Sequence, residues 1–270
     1  MMLRLPMKVD IILRTHDKDN VHNFSERYCN ADKRTVVIKC VTSLLNAVDN
    51  ASEHTFHIKV LDDRSAQDTI SVLDDKLKNT NCTYEIVNLV NTEFERPYNH
   101  SALKQFESCR DSTADLVYSV EDDYLHHPTA LKDMLDSYEI FKTAVGTADV
   151  CIFPYNSPDL YSGAAPAERA QCQIGYGAYG FWRTGNRTTN TIMTTPAVFR
   201  KYWNVFHKLA TEYHHDHTIN EVAESNTINL IWARYVPLFV PITSLALHMQ
   251  FLEQQDRFID WEYWWENYTK

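Results

Sequence analysis

The fold of this chain is decided by residues 115–124, which run Asp-Leu-Val-Tyr-Ser-Val-Glu-Asp-Asp-Tyr. The centre of this stretch is rich in β-branched and aromatic residues, which favour a buried strand. Three consecutive carboxylates, Glu121, Asp122 and Asp123, follow directly. Open α/β sheets bind ligands at the carboxyl edge, where such oxygen groups suit Mg²⁺ or Mn²⁺ carrying a phosphorylated substrate. The alternative is an acidic loop that caps a helix expected after Pro128.

Strand and helix patterns alternate over about the first 123 residues. Short apolar runs predict the strands, and apolar residues at helical spacing predict the helices between them. Such alternation predicts an α/β fold with a mostly parallel central sheet and helices on both faces. Asp62 and Asp63 follow the second strand, so we expect them at the same sheet edge as Glu121–Asp123. The predicted strands are Lys8–Thr15, Phe56–Leu61, Tyr84–Leu89 and the run from Asp115 that stops on Glu121–Asp123, and the helices are Arg34–Val48, Thr69–Leu77 and Ser101–Arg110.

The remainder of the chain has a less regular pattern. Residues 155–169 form a predicted long loop of the kind that shapes a site. Residues 175–182 hold three of the six glycines among aromatics, which indicates either a tight bend or close approach of the backbone to a ligand. The other predicted elements are helices at Thr129–Thr143, Pro196–Leu209 and Ile219–Arg234, and strands at Asp149–Pro154, Ile192–Thr194 and Leu238–Leu247, the last ending on His248.

Composition excludes several classes of protein. The 270 residues are 44% hydrophobic, enough for a sizeable core, and the net charge of −10 with scattered Lys and Arg disfavours nucleic-acid binding. The start has no apolar stretch typical of a signal peptide, and no run approaches a membrane span, so we expect a soluble, cytoplasmic protein. Six scattered cysteines without a Cys-x-x-Cys pair argue against a zinc ribbon or a disulfide scaffold.

Three short motifs then occur in a characteristic order. Asp-Asp-x-Ser follows the second strand at residues 62–65, Asn-His-Ser-Ala-Leu opens a helix at 99–103, and Glu-Asp-Asp ends the strand at Asp123. In this order and strand context the motifs resemble GT-A glycosyltransferases, close to the family 2 type. The resemblance covers the first half of the chain and is diffuse after about residue 150. One departure is Glu121, because the first acid of the family's DxD-type motif is Asp.

The resemblance implies specific roles at the donor site. Thr15, just after the first strand, and Asp62 match positions that hold the nucleotide base and ribose. Glu121 or Asp122 would contact the ribose or metal-bound waters. A sugar nucleotide leaves as a diphosphate whose negative charge must be neutralised, and a divalent cation does this.

The same resemblance implies a metal site of two residues far apart in the sequence. Asp123 would bind the Mn²⁺ or Mg²⁺ ion. His248 follows a late buried strand, as does the histidine that completes the metal site in many such enzymes. A satisfied core histidine is the alternative interpretation of His248.

The catalytic base is expected near the start of the helix that follows the His-His-Asp-His cluster at 214–217. An acceptor hydroxyl must lose a proton to a carboxylate, and Asp216, Glu221 and Glu224 are the candidates. Glu224-Ser225-Asn226 is the closest match to the family, although the family's usual second acid is Ser225 here. Alternatively, these acids merely favour a helix N-terminus. The clustered histidines lack the spacing of a zinc motif and are interpreted as a solvated loop.

Together these observations predict a metal-dependent, inverting glycosyltransferase that moves a sugar from a nucleotide-sugar donor, with UDP-sugar favoured, to a hydroxyl acceptor such as a glycan. Residues 1–125 would form the nucleotide-sugar-binding half, and 126–270 the acceptor-binding half, a smaller subregion with an aromatic C-terminal tail. Packing onto the domain is the favoured interpretation of that tail, and sugar stacking the other. The alternatives are a sugar nucleotidyltransferase, disfavoured by the lack of a glycine-rich loop after the first strand, and a non-catalytic carbohydrate-binding or scaffold protein.

Overall fold

A computed structural model describes residues 5–18, 29–89, 97–157, 172–212, 228–250, 256 and 258–270. The seven elements expected in the first half are all present, each within a few residues of the predicted bounds. They are β1 (Lys8–Thr15), α1 (Lys33–Asp49), β2 (Thr55–Asp62), α2 (Gln67–Lys78), β3 (Thr83–Asn88), α3 (Pro97–Asp111) and β4 (Leu116–Glu121).

The second half contributes shorter elements. The short strand β5 (Tyr124–His126) precedes the long helix α4 (Ala130–Val145), which ends at Gly146 in the left-handed conformation. The described part of α7 covers residues 228–234. The remaining elements are β6 (Cys151–Ile152), β7 (Ile174–Tyr176), β8 (Phe181–Gly185), β9 (Ile192–Thr194), α5 (Pro196–Lys201), α6 (Trp203–Glu212), β10 (Leu238–Pro241), β11 (Ala246–His248) and α8 (Trp261–Asn267).

One nine-stranded sheet organises the molecule, in the order β3-β2-β1-β4-β9-β6-β10-β8-β7. The strands β3, β2, β1 and β4 are parallel neighbours. Beyond them only β8 and β9 of this sheet run against the common direction. The chain moves outward from β1 to β3 and then returns to the other side of β1 at β4. This reversal creates a switch point between β1 and β4, the place where open α/β sheets bind ligands.

Helices cover both faces of the sheet. On one face, α1, α2 and α4 pack apolar side chains such as Leu44, Leu73 and Leu135 against the strands. On the other face, α3, α5 and α6 do the same with Phe106, Phe199 and Phe206. The predicted fold class, an α/β domain with a mostly parallel central sheet and helices on both faces, is therefore confirmed. None of the helices within the described ranges has the length and apolar character needed to cross a membrane.

Two predicted elements are wrong in their continuity. The helix expected over Pro196–Leu209 is two helices broken at Tyr202, which lets Phe199 and Phe206 both face Phe106, with centroids 4.4 Å apart. The strand expected over Leu238–Leu247 is likewise divided. It leaves the large sheet at Pro241, which has no N–H to donate, and resumes as β11, which pairs with β5 in a separate two-stranded sheet.

The glycine-rich segment and the aromatic tail both pack against the protein itself. A Cβ at Gly177 would lie 2.6 Å from Ser137 Oγ and overlap the indole of Trp182, so glycine permits a tight turn against α4. In the tail, Trp264 and Trp265 are buried, and Lys39 of α1 lies 4.6 Å from the centre of the Trp265 ring. Both observations favour packing over direct ligand contact.

Candidate functional site

The loops after β1, β2 and β4 meet at the carboxyl edge of the sheet, as expected. His16 links them, because its backbone N–H donates to Asp122 Oδ2 at 2.6 Å and its Nδ1 lies 2.7 Å from the Asp63 carbonyl oxygen. The backbone N–H of Asp63 donates to the carbonyl of Thr15 at 2.8 Å. The two acidic clusters, 60 residues apart in the sequence, therefore belong to one site.

Thr15 and Asp62 lie on neighbouring strands, and their side chains are hydrogen-bonded to each other. The Thr15 hydroxyl donates to Asp62 Oδ1 at 2.9 Å, and the backbone N–H of Ser65 donates to Asp62 Oδ2 at 3.0 Å. Both side chains are buried. Their geometry stabilises the turn after β2, and contact of either side chain with a nucleotide stays a prediction.

Glu121 is held by an arginine from the neighbouring strand. The register places Arg14 of β1 opposite Glu121 of β4, and Arg14 Nη2 lies 2.6 Å from Glu121 Oε1. Burial raises the pKa of the Glu121 carboxyl, and the Arg14 guanidinium opposes that effect. One oxygen of the Glu121 carboxylate is therefore engaged with Arg14, and contact of Glu121 with a ribose or a metal-bound water stays a prediction.

Asp122 and Asp123 share a lysine ammonium group from the start of α1. Lys33 Nζ lies 2.6 Å from Asp122 Oδ1 and 3.6 Å from Asp123 Oδ2. The Lys33 side chain is only 13% exposed. Burial lowers the pKa of Lys33, but the attraction of Asp122 and Asp123 outweighs it and raises that pKa above its ordinary value.

The small β5–β11 sheet brings His248 to the acidic cluster. His248 pairs with Tyr124, the residue after Asp123, and the Met249 N–H donates to the Asp123 carbonyl at 2.8 Å. The imidazole stacks on the Tyr124 ring with centroids 4.7 Å apart, and His248 Nε2 lies 3.5 Å from Asp123 Oδ1. The structure thus joins Asp123 and His248, which are 125 residues apart.

Neighbouring charges shift the pKa values of Asp123 and His248. Burial tends to raise the pKa of Asp123, but Lys33 and His248 together hold it well below its usual range. Burial lowers the pKa of His248, yet the Asp123 carboxylate reverses that effect and leaves it above the ordinary value of 6.5. At neutral pH the site therefore contains an ionised carboxylate beside a readily protonated imidazole.

The donor groups at this edge fit a divalent cation. Carboxylate oxygens and an imidazole suit Mn²⁺ or Mg²⁺, and Asp123 Oδ1 is buried with no hydrogen-bond donor to it among the described residues. In the described part of the chain, however, no three His, Cys, Asp or Glu side chains are arranged as a metal site. At this edge the Lys33 ammonium group lies next to both aspartates.

Sequence reasoning did not single out Lys33, Arg14 or Gln105. Gln105 of α3 is fully buried and its Nε2 donates to the carbonyls of Ile12 and Val120, bridging β1 and β4 at the switch point. Two features of the sequence could have indicated Arg14 and Lys33. An arginine inside an apolar strand needs an acid nearby, and a lysine in the first turn of a helix is disfavoured by the macrodipole unless acids attract it.

The proposed base residues Asp216 and Glu224, with Glu221 and the histidines at 214, 215 and 217, lie outside the described residues. So does most of the predicted loop at 155–169. Their roles stay predictions.

No protein-family model matches this sequence, and no curated protein matches it either. Among solved structures, the glycosyltransferase GlyE of Streptococcus pneumoniae TIGR4 aligns with 98% of this chain at 12% identity and a TM-score of 0.49. TarS 1-349 of S. aureus aligns with 89% at 12% identity and a TM-score of 0.48. The Pyrobaculum calidifontis mannosyltransferase PcManGT, in complex with GDP-Man and Mn²⁺, aligns with 87% at 11% identity and a TM-score of 0.46. The aligned part covers 60%, 60% and 56% of those chains.

Proposed function

We propose that this protein is a metal-dependent glycosyltransferase that moves a sugar from a nucleotide-sugar donor to a hydroxyl acceptor. The observation that carries the proposal is the convergence of Asp122, Asp123 and His248 at the carboxyl edge beside the β1–β4 switch point. That position is where open α/β sheets bind nucleotides. Two of the three motifs that resemble GT-A enzymes, at residues 62–65 and 121–123, lie at the same edge.

The residues of this edge have distinct tasks in such a reaction. Asp123 and His248 would hold a Mn²⁺ or Mg²⁺ ion, with Asp122 beside them. When bound, the ion supplies positive charge that neutralises the departing diphosphate. Arg14 keeps the Glu121 carboxylate in place, and Gln105 keeps β1 and β4 in register, so the edge is organised before the donor arrives.

Proton transfer completes the proposed chemistry. The acceptor hydroxyl must lose its proton as it attacks the anomeric carbon, which becomes oxocarbenium-like. Glu224 is the first candidate for the base and Asp216 the second. A carboxylate opposite the leaving group gives inversion, the outcome we propose. Residues 1–125 would bind the donor, preferably a UDP-sugar, and residues 126–270 the acceptor, such as a glycan.

A thermal-shift screen tests the donor site directly. Wild type and Asp123→Ala are heated with UDP-, GDP- and dTDP-sugars, each with and without Mn²⁺. A ligand that binds only the native state raises the melting temperature. We expect stabilisation that needs both Mn²⁺ and one nucleotide class and is lost in the variant. No shift with any nucleotide sugar would contradict the proposal.

A non-catalytic carbohydrate-binding protein is the second candidate. The observation that favours it is the ion pairing of Lys33 with both aspartates, which would also be stable in a protein that had lost metal chemistry. The two candidates differ in the Asp123→Ala variant. Loss of sugar transfer with folding intact supports catalysis, whereas glycan binding without transfer in both proteins supports the binding module.

A further inference from the structure

Lys33 is a cation in an unfavourable place along its helix. It is the first residue of α1, whose N-terminus is capped by Asp32, and the first turn contains no acid. The amide dipoles make this end of a helix positive, so a lysine here is destabilising by itself. The side chain is nevertheless largely buried, which adds the cost of desolvating an ammonium group. An attraction outside the helix must therefore hold it in place.

That attraction comes from the two aspartates of the proposed metal site. The Lys33 nitrogen is 2.6 Å from Asp122 Oδ1 and 3.6 Å from Asp123 Oδ2, so both carboxylates face one point of positive charge. A divalent ion bound by the same pair would need these oxygens at about 2.0–2.2 Å. An ion on Asp122 Oδ1 would lie close to the Lys33 ammonium group, which is 2.6 Å from the same oxygen, and the two positive charges would repel each other strongly in a buried site.

We propose that Lys33 and the divalent cation occupy the Asp122–Asp123 pair in mutually exclusive fashion. This inference rests on the proposed function, because it takes Asp123 as a metal ligand and Asp122 as its immediate neighbour at the donor site. Lys33 is the resident cation of the free protein and neutralises the acidic edge. Binding of Mn²⁺ displaces the Lys33 ammonium group from both aspartates. The lysine therefore weakens the binding of metal to the free protein.

Calorimetric titration with Mn²⁺ alone, without nucleotide, measures this competition. Lys33→Met removes the charge and keeps the length of the side chain. Lys39→Met is the matched control, since Lys39 lies on the same helix but contacts Trp265 and Glu266. We expect Lys33→Met to bind Mn²⁺ at least about tenfold more tightly than wild type, and Lys39→Met to bind it as wild type does. Equal or weaker binding by Lys33→Met would overturn the inference.

A second measurement uses the wild-type protein and does not depend on the folding of a variant. Lysines are acylated briefly with an amine-reactive ester, with and without Mn²⁺, and the modified peptides are quantified by mass spectrometry. An ammonium group released from two carboxylates is more accessible to the ester. We expect faster labelling of Lys33 when Mn²⁺ is present and an unchanged rate at Lys39. A Lys33 rate that is unchanged or reduced by Mn²⁺ argues against displacement.

These outcomes can be separated from failure of the proposed function. If wild type binds a nucleotide sugar with Mn²⁺ but Lys33→Met binds the metal no more tightly, the transferase proposal survives and the competition does not. If neither protein binds Mn²⁺, the competition is refuted. The nucleotide-sugar screen then decides independently whether a metal-free donor site exists.

Discussion

The two ends of the central sheet are built on different plans. On one side, β3, β2, β1 and β4 are parallel and six to eight residues long, and both β2 and β4 pair with β1 along most of their length. On the other side, β9, β6, β10, β8 and β7 are two to five residues long and mix parallel with antiparallel pairing. Among the described residues, the regular side provides the acids of the site: Asp62, Asp63 and Glu121–Asp123. The irregular side provides His248, carried by a strand that has left the large sheet.

This difference shows how the site depends on both sides. Glu121 is the last residue of β4, and Asp122 and Asp123 follow it directly, at the point where the buried run of the strand ends. His248 reaches them because β11 pairs with β5, the short strand that directly follows the acids. The three acids are consecutive in the sequence. His248 is distant from them in the sequence, and the pairing of β11 with β5 brings it into contact with Asp123.

The largest expected effect is on activity, from the regular side. Asp123→Ala should lower sugar transfer at least about a thousandfold, or about 4 kcal/mol, because the charge that holds the metal is lost. The measurement is turnover of the nucleotide sugar identified by the thermal-shift screen. Asp75→Ala is the control, since this acid is exposed on α2. Comparable activity in the two variants would contradict the assigned role of Asp123.

The next largest effect compares a buried leucine of β11 with a buried leucine of β1. Leu247→Ala in β11 and Leu13→Ala in β1 should each cost about 3 kcal/mol in the free energy of unfolding, because both side chains are fully buried. Only the Leu247 variant should also weaken Mn²⁺-dependent donor binding, because β11 positions His248. Urea unfolding and the thermal-shift screen measure the two quantities. Equal loss of donor binding in both variants would remove the distinction.

A smaller effect tests the packing of the irregular side. Gly177→Ala should cost about 2 kcal/mol, because the added Cβ would overlap Trp182 and lie 2.6 Å from Ser137 Oγ. Gly175→Ala is a close control, since a Cβ there meets nothing within 4 Å. Thermal unfolding of both variants checks the prediction. If Gly175→Ala were more destabilised than Gly177→Ala, the result would contradict the close packing of the Gly177 turn against α4.

The smallest effect is a change in pH dependence. The pKa of His248 is raised, so its pairing with Asp123 stabilises the protein fully below the unfolded value of 6.5 and is lost as pH rises through the folded value. His248→Gln should therefore reduce the free energy of unfolding by about 1 kcal/mol at pH 6 and by less at pH 9. Urea titrations at both pH values measure this. A difference that grew with pH would have the wrong sign.

Much of this architecture follows from local patterns. The bounds of β1, α1 and β2 could be predicted because each is a short, mostly apolar run or one apolar helix face. The break at Tyr202 and the exit of the chain at Pro241 could not, because each depends on what the flanking residues pack against. Phe199 and Phe206 are both apolar at helical spacing in either arrangement, and only the position of Phe106 distinguishes them.

By itself the sequence determined the fold class, the placement of two acidic clusters at one sheet edge and the pairing of Asp123 with a distant histidine through family resemblance. The first two follow from periodicity and from strand ends, which are local properties of the chain, whereas the third is what the resemblance implies. Only the tertiary structure decided that Arg14 engages Glu121, that Lys33 lies between Asp122 and Asp123, and that Thr15 and Asp62 bind each other. Contacts of this kind join residues 47 to 107 positions apart. Strand register and helix placement set them, and both depend on the packing of the whole core.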